Sequence, residues 1–407
     1  MTDLAINGGL PVRKKKFSPW PFFDHDEIAA VSRVFQSGNV NYWTGEEGRL
    51  FEKEFAAGIG VNYAVALMNG SVALEAALMA VNIGGGDEVI VTPRSYIASA
   101  GCAVMRGAKP VFADVDRDSQ NITADTIEKV ITSRSRAIVA VHLAGCPCEL
   151  DAIMALAKKR GLAVVEDCAQ ASGAFYKGHP IGSIGDVAAF SFCQDKTMTT
   201  GGEGGMVVTN NKDVWSKVWS YKDNGKSYDA VYGNNDLNPG QAFKWLHESF
   251  GTNYRMTEMQ AAIGRIQLRK LPDWIERRRL HADILNKSFL NIPALRVTIP
   301  PDHISHAYYK YYIFLKPDML KSGWNRERII VAINAEGIPC FTGICSEIYL
   351  EKAFDADGIR PEKRLPVAKE LGETAMMFLV HPTLSDSDML DVVRAVEKVM
   401  AVACVQK

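Results

Sequence analysis

The sequence predicts an α/β protein: a large domain on a mixed, mostly parallel sheet, followed by a smaller C-terminal α+β domain. Three observations carry this. Strand-length apolar runs alternate with helix-spaced segments through about residue 210, as in a sheet covered on both faces. A clear βαβ unit stands at its centre, with strand 137–141, helix 151–160 stopped by Gly161, and strand 162–165. Beyond the long helix that Thr257 and Glu258 open, the chain turns to an aromatic strand at 306–315 and further helices. The domains are placed at 1–265 and 266–407, and 407 residues suffice for two or three.

In chain order, the basic run 13–16 reads as a solvated terminal segment. From Asp24, Ile28, Val31 and Phe35 recur at helix spacing until Gly38. An aromatic loop, Asn41-Tyr42-Trp43-Thr44-Gly45, precedes a helix carrying Leu50, Phe51 and Phe55. Strand 63–68 enters helix 72–81 through Asn69-Gly70-Ser71. Unpaired N–H groups and the helix dipole make such a junction an anion site, or else a simple N-cap by Ser71. Gly84 to Asp87 precede strand 88–92, the wrong side for a dinucleotide fingerprint. Strand 110–114 follows a small-residue helix at 97–105. The segment 222–250 reads as a long polar loop, more often functional than idle. Pro272 is expected to kink or break the long helix. In the last part, 326–336, 366–377 and 385–402 read as helices and 338–341 as extended.

Composition narrows the function classes. With 47% apolar and 23% charged residues and a net charge of −1, nothing selects nucleic acid or a membrane surface. An anionic ligand must then be held locally. No signal-peptide core and no run of about 20 apolar residues is present, so a cytoplasmic protein is expected. Eight cysteines are too sparse for a disulfide scaffold; Cys146/Cys148 and Cys340/Cys345 lack zinc spacing. His303 and His306 have no further ligands nearby, and no metal is expected.

The stretch FSFCQDKTMTTGGEGGMVV, from Phe190, is strand, lysine-bearing loop, glycine turn and strand. Most lysines are solvated charges. The sharper reading of Lys196 is an amine held in a pocket to condense with a carbonyl. Pyridoxal phosphate (PLP) chemistry needs such a lysine, an acid for the pyridinium nitrogen and a phosphate cup. Strand 162–165 ends in Glu166-Asp167-Cys168-Ala169-Gln170. Acids there can be turn or cap residues, but in an open α/β sheet the carboxyl ends of strands are where ligands bind.

Asn69-Gly70-Ser71, EDCAQASGA, FSF with Lys196 and GGEGG, and GTNYRMTEMQAAIG from Gly251 stand in this order. Together they resemble the DegT/DnrJ/EryC1/StrS family of PLP-dependent nucleotide-sugar aminotransferases, over nearly the whole chain. The resemblance implies an aspartate-aminotransferase-like PLP fold type I with a seven-stranded sheet, and a homodimer with active sites at the interface. It also implies that Lys196 forms the Schiff base and carries the proton, that Asp167 pairs with the pyridinium nitrogen, and that Gln170 lies beside the ring. Gly70, Ser71, Ser191 and the partner's Asn253 would hold the phosphate, and Tyr96 would stack on the ring.

The implied reaction moves an amine from L-glutamate to a nucleotide-linked keto-sugar, giving an amino sugar for a surface polysaccharide or glycosylated product. Trp43, Arg255 and the 222–250 loop are the substrate candidates, the last two for a diphosphate. A keto-cyclitol aminotransferase and a non-catalytic PLP-binding regulatory protein are the alternatives. Two stretches depart from the family pattern: Pro93-Arg94-Ser95-Tyr96 is one residue short of Pro-x-Phe-Thr-Phe, and 342–349 replaces a histidine-proline turn. Lysine at 196 argues against the subset that carries histidine there and dehydrates its substrate.

Overall fold

The computed structural model describes residues 3–233, 246–355 and 358–405. Seven strands make the central sheet: β1 (Tyr63–Leu67), β2 (Glu88–Val91), β3 (Lys109–Phe112), β4 (Ser135–Val141), β5 (Ala163–Asp167) and, after the short β6 (Phe175–Tyr176) and β7 (His179–Pro180), β8 (Val187–Ser191) and β9 (Gly205–Thr209). Their order is β1-β9-β8-β5-β4-β2-β3. The five from β3 to β8 pair in parallel, while β9 runs antiparallel to β8 and β1. Only antiparallel neighbours can be joined without a crossover helix, so the segment between β8 and β9 is free to carry Lys196.

Period-two alternation divides the sheet's side chains between two cores. Ile90, Ile138, Val164 and Val208 face one, and Val89, Val139, Val165 and Val207 the other. Twelve helices are described, beginning with α1 (His25–Ser37), α2 (Glu47–Ile59), α3 (Gly70–Ala80), α4 (Ala98–Met105), α5 (Ala124–Glu128) and α6 (Leu150–Arg160). After β9 come α7 (Lys212–Lys222), α8 (Tyr228–Tyr232) and α9 (Glu258–Phe289). A second sheet, ordered β10-β12-β14-β13, contains β10 (Leu295–Val297), β12 (Tyr311–Leu315), β13 (Cys340–Phe341) and β14 (Ala375–Phe378); β11 (Ile304–Ser305) pairs with β6 instead. The helices α10 (Arg326–Ala335), α11 (Pro366–Thr374) and α12 (Asp386–Ala403) complete the C-terminal part.

Several local expectations need correction. Helix α1 is capped by Asp24 and closed by Gly38, but Ile28 and Phe35 are exposed; Ala30 and Val34 face inward, against Ala262 and Ile266 of α9. Pro272 does not break α9, whose 32 residues run as one helix. Its early turns pack on α1, and Ala282, Leu285 and Phe289 join the C-terminal core. Thus the expected 265/266 boundary lies inside one helix. Arg13 is not a solvated charge: its guanidinium bridges Asp388 and Asp391 at 2.7 and 2.8 Å. The helix expected over 366–377 stops at Thr374, because the apolar Ala375–Phe378 pairs with β12. The expected 222–250 loop contains α8, and its residues 234–245 lie outside the described residues.

Candidate active site

At the carboxyl ends of β5 and β8 lies a cleft of about 590 Å³, lined among others by Gly70, Ser71, Tyr96, Asp167, Gln170 and Lys196. Ser191 also lines it. Strand alternation separates the two acids of β5. Glu166 points into one core, where its carboxylate accepts from His142 Nε2 (3.1 Å) and from the N–H groups of Gly182, Ile184 and Gly185 (3.0, 2.9 and 2.6 Å). Burial alone would raise its pKa, but the His142 bond and these N–H donors outweigh it and hold the carboxylate below its ordinary range. The backbone N–H of Cys148 donates to His142 Nδ1, so the ring proton sits on Nε2. Glu166 is therefore structural, and it ties β5 to the turn before β8. His142, Glu166 and Cys168 lie close enough to suggest a metal site, yet both carboxylate oxygens already have donors.

Asp167 faces the cleft. It is 3% exposed, and among the described residues its carboxylate accepts only from Ser99 Oγ (2.7 Å) and Ala169 N–H (3.1 Å). Among the described residues no arginine or lysine forms an ion pair with it. Burial is the main cause of its raised pKa, opposed by Ser99, the Ala169 N–H and the charge of Lys196. A buried carboxylate in a cleft with no cation of its own fits a ligand that brings a protonated ring nitrogen.

The phosphate side is equally specific. Asn69, not Ser71, caps α3: its side chain accepts from Val72 N–H at 3.0 Å and its carbonyl from Ala73 N–H at 3.2 Å. The N–H groups of Gly70 and Ser71, with the Ser71 hydroxyl, have no partner among the described residues, the arrangement that receives an anion. A Cβ on Gly70 would stand 2.5 Å from Ser191 Cβ, so only glycine lets the helix start touch β8. Tyr96 is 62% exposed on the cleft wall, an aromatic face free to stack. Gln170 accepts from Ala144 N–H at 2.8 Å, which leaves its NH₂ to donate. These residues fit PLP.

Lys196 sits across the cleft with its ammonium 4.9 Å from the centroid of the Tyr309 ring. Trp20 Nε1 donates to the Lys196 carbonyl at 2.9 Å, fixing the loop from outside. The Tyr309 hydroxyl donates to Asp195, which also faces the Lys310 ammonium at 3.5 Å. Ser95, Ser99, Asp195 and Tyr309 were not anticipated. Ser99 stands in the first turn of α4, while Ser95 precedes that helix. Nothing in the sequence links Tyr309 to Lys196.

Three anticipated residues do not line this cleft. Asn253 is exposed and pairs by backbone with Asp223. Arg255 is held by the buried Asp223 at 2.6 Å. Trp43 packs on Trp219 and Tyr232 under Lys226. His303 pairs with Glu149, and His306 accepts the Tyr308 N–H.

A parallel sheet, a lysine between β8 and β9, an acid ending β5 and a helix start for phosphate define a PLP enzyme of fold type I. Comparison with known proteins carries this to a family. Residues 21–397 match the DegT/DnrJ/EryC1/StrS aminotransferase family, and the chain belongs to it: it is a PLP-dependent aminotransferase. An aminotransferase of known structure from Psychrobacter cryohalolentis is 55% identical, with TM-score 0.92, covering 95% of this chain and 99% of that one. GDP-perosamine synthase of Escherichia coli O157:H7 is 35% identical over 88% of this chain and 92% of its own length. DesV of S. venezuelae, solved in complex with a ketimine intermediate, is 33% identical with TM-score 0.81, covering 91% of this chain and 93% of that one.

Proposed function

We propose that this enzyme transfers an amino group from L-glutamate to the keto group of a nucleotide-linked sugar, making an amino sugar for a surface polysaccharide or a glycosylated product. The observation that supports it best is the joining of Lys196, the unpaired Asp167 and the open start of α3 in one cleft. When bound, PLP supplies an electron sink for the carbon that loses or gains the amine.

This chain's residues do the rest. Lys196 would hold the cofactor by its carbonyl and would move the proton at the substrate carbon, its advantage being proximity. Asp167 holds a proton on the ring nitrogen, Gln170 orients the ring, Tyr96 covers a face, and Gly70, Ser71 and Ser191 hold the phosphate. We place the enzyme in the cytoplasm, where the eight free cysteines stay reduced. Among the described residues no helix is long and apolar enough to cross a membrane. The acceptor class comes from a relative named GDP-perosamine synthase.

Asn253, Arg255 and Trp43 belong, in this reading, to the second subunit's site in a homodimer, with Arg255 toward the substrate's diphosphate. The 1–265 and 266–407 parts act as the two walls of the cleft: Ile344 reaches it from the second part. The test is to convert the enzyme to its amine form with L-glutamate and offer GDP-linked and dTDP-linked keto-sugars. Return of the cofactor absorption with one of them supports the reading. Return only with a keto-cyclitol would replace the acceptor.

A further inference from the structure

Arg94 is 0% exposed, yet no carboxylate pairs with it among the described residues. Its Nε and Nη2 donate to Gln120 Oε1 at 3.0 and 2.9 Å, and its Nη1 to Ser346 Oγ at 2.8 Å. The guanidinium carbon lies 5.3 Å from the centroid of the Tyr312 ring. A buried cation satisfied by neutral partners is costly. The sequence keeps one where two distant segments meet.

The partners show what it holds. Gln120 belongs to the large domain, and Ser346 to the 342–349 loop of the smaller one. That loop is moulded onto Tyr312, whose hydroxyl accepts from Ile344 N–H at 2.8 Å. A Cβ on Gly343, at φ +88°, would stand 2.3 Å from the same ring. Ser346 in turn donates to the Ala368 carbonyl at 2.5 Å, and Ile348 N–H to the Pro93 carbonyl at 2.8 Å. Asp114 caps the start of α11 by accepting from Val367 and Ala368 N–H, both at 2.9 Å. The loop's Ile344 lines the cofactor cleft. On its other side, the Arg94 segment continues into Ser95, whose hydroxyl meets Ser99 at 2.8 Å, and Ser99 donates to Asp167. The two stretches that depart from the family pattern, 93–96 and 342–349, are therefore in direct contact through Arg94.

We propose that Arg94 is a positioning residue that fixes the 342–349 loop against the cleft and so sets which keto-sugar is accepted; this rests on the function proposed above. The loop supplies the acceptor wall through Ile344, while the groups that face the cofactor sit on other elements. Loosening the latch acts on the acceptor half-reaction and spares the donor half.

The test uses Arg94→Met and the milder Ser346→Ala in the full chain, each checked for an unchanged melting profile. Cys345, exposed in this loop, reports loop mobility through its rate of thiol labelling. Expected are labelling faster by about fivefold or more, an acceptor KM raised by about tenfold with GDP- or dTDP-linked keto-sugars, and a donor rate with L-glutamate within about twofold of wild type. Arg94→Lys, which keeps charge but not the fork, should restore part of the acceptor affinity. Unchanged labelling with unchanged acceptor KM overturns the proposal, as does loss of donor and acceptor rates in parallel. If the wild-type enzyme does not respond to L-glutamate or any keto-sugar, the functional reading fails, while labelling alone still decides whether Arg94 latches the loop.

Discussion

Removing the hydroxyl of Ser99 should loosen PLP without touching it. In Ser99→Ala, Asp167 loses one of its two donors, the 2.7 Å bond to Oδ2, and keeps the Ala169 N–H. A hydrogen bond to a charged acceptor contributes about 1.5–3 kcal/mol. Burial already holds the Asp167 pKa up, and Ser99 is the first influence opposing it. Losing that donor raises it further. A protonated Asp167 no longer attracts a protonated ring nitrogen, so the cofactor should bind about ten- to a hundredfold more weakly at a pH where the wild type is still ionised. Cofactor release on acidification should then begin at higher pH. Titrating PLP by its absorbance across pH, in wild type and variant, reads both quantities. Equal affinities and superimposable pH curves would refute the reasoning.

Three further outcomes are expected. Gly70→Ala should push the start of α3 away from Ser191, because its Cβ would stand 2.5 Å from Ser191 Cβ; PLP affinity should fall at least about tenfold, measured by equilibrium dialysis, with the melting curve showing that the fold persists. Glu166→Gln turns an amide NH₂ toward donors that now meet a carboxylate, and should cost about 2–4 kcal/mol in chemical denaturation. Because the folded Glu166 pKa lies below its ordinary value of 4.5, its stabilisation is complete above that pH and is lost as pH falls further; the variant should lack this acid-dependent part. Arg13→Met leaves Asp388 and Asp391 without their shared cation, and should lower stability by about 1–2 kcal/mol at neutral pH, with turnover of the folded enzyme unchanged.

Periodicity and composition made the sheet legible because the doubly covered part of a strand must be apolar, as 137–141 of β4 and 163–165 of β5 are. They failed where tertiary pairing overrode local pattern. In α1 the regular apolar stripe Ile28, Val31, Phe35 was visible, yet the neighbouring stripe of Ala30 and Val34 allows closer approach to α9. The run 375–378 continued a helical pattern and became β14 only because β12 offered an edge. Asp167 and Lys196 were readable from motif order. Ser99 was not marked by helix spacing, since Ser95 precedes α4. Tyr309 and Arg94 were not readable either. Their roles come from contacts across 113 and 252 residues of chain, to Lys196 and Ser346, and nothing local marks such a contact.

The most direct test of the central claim is the absorption spectrum of wild type and Lys196→Ala after incubation with PLP, each followed on adding L-glutamate. Wild type should show a lysine-bound cofactor band that bleaches with glutamate. Lys196→Ala should retain PLP through Asp167 and the α3 start but show no such band and support no turnover. A variant that keeps the wild-type band and transaminates at near wild-type rate would contradict that claim.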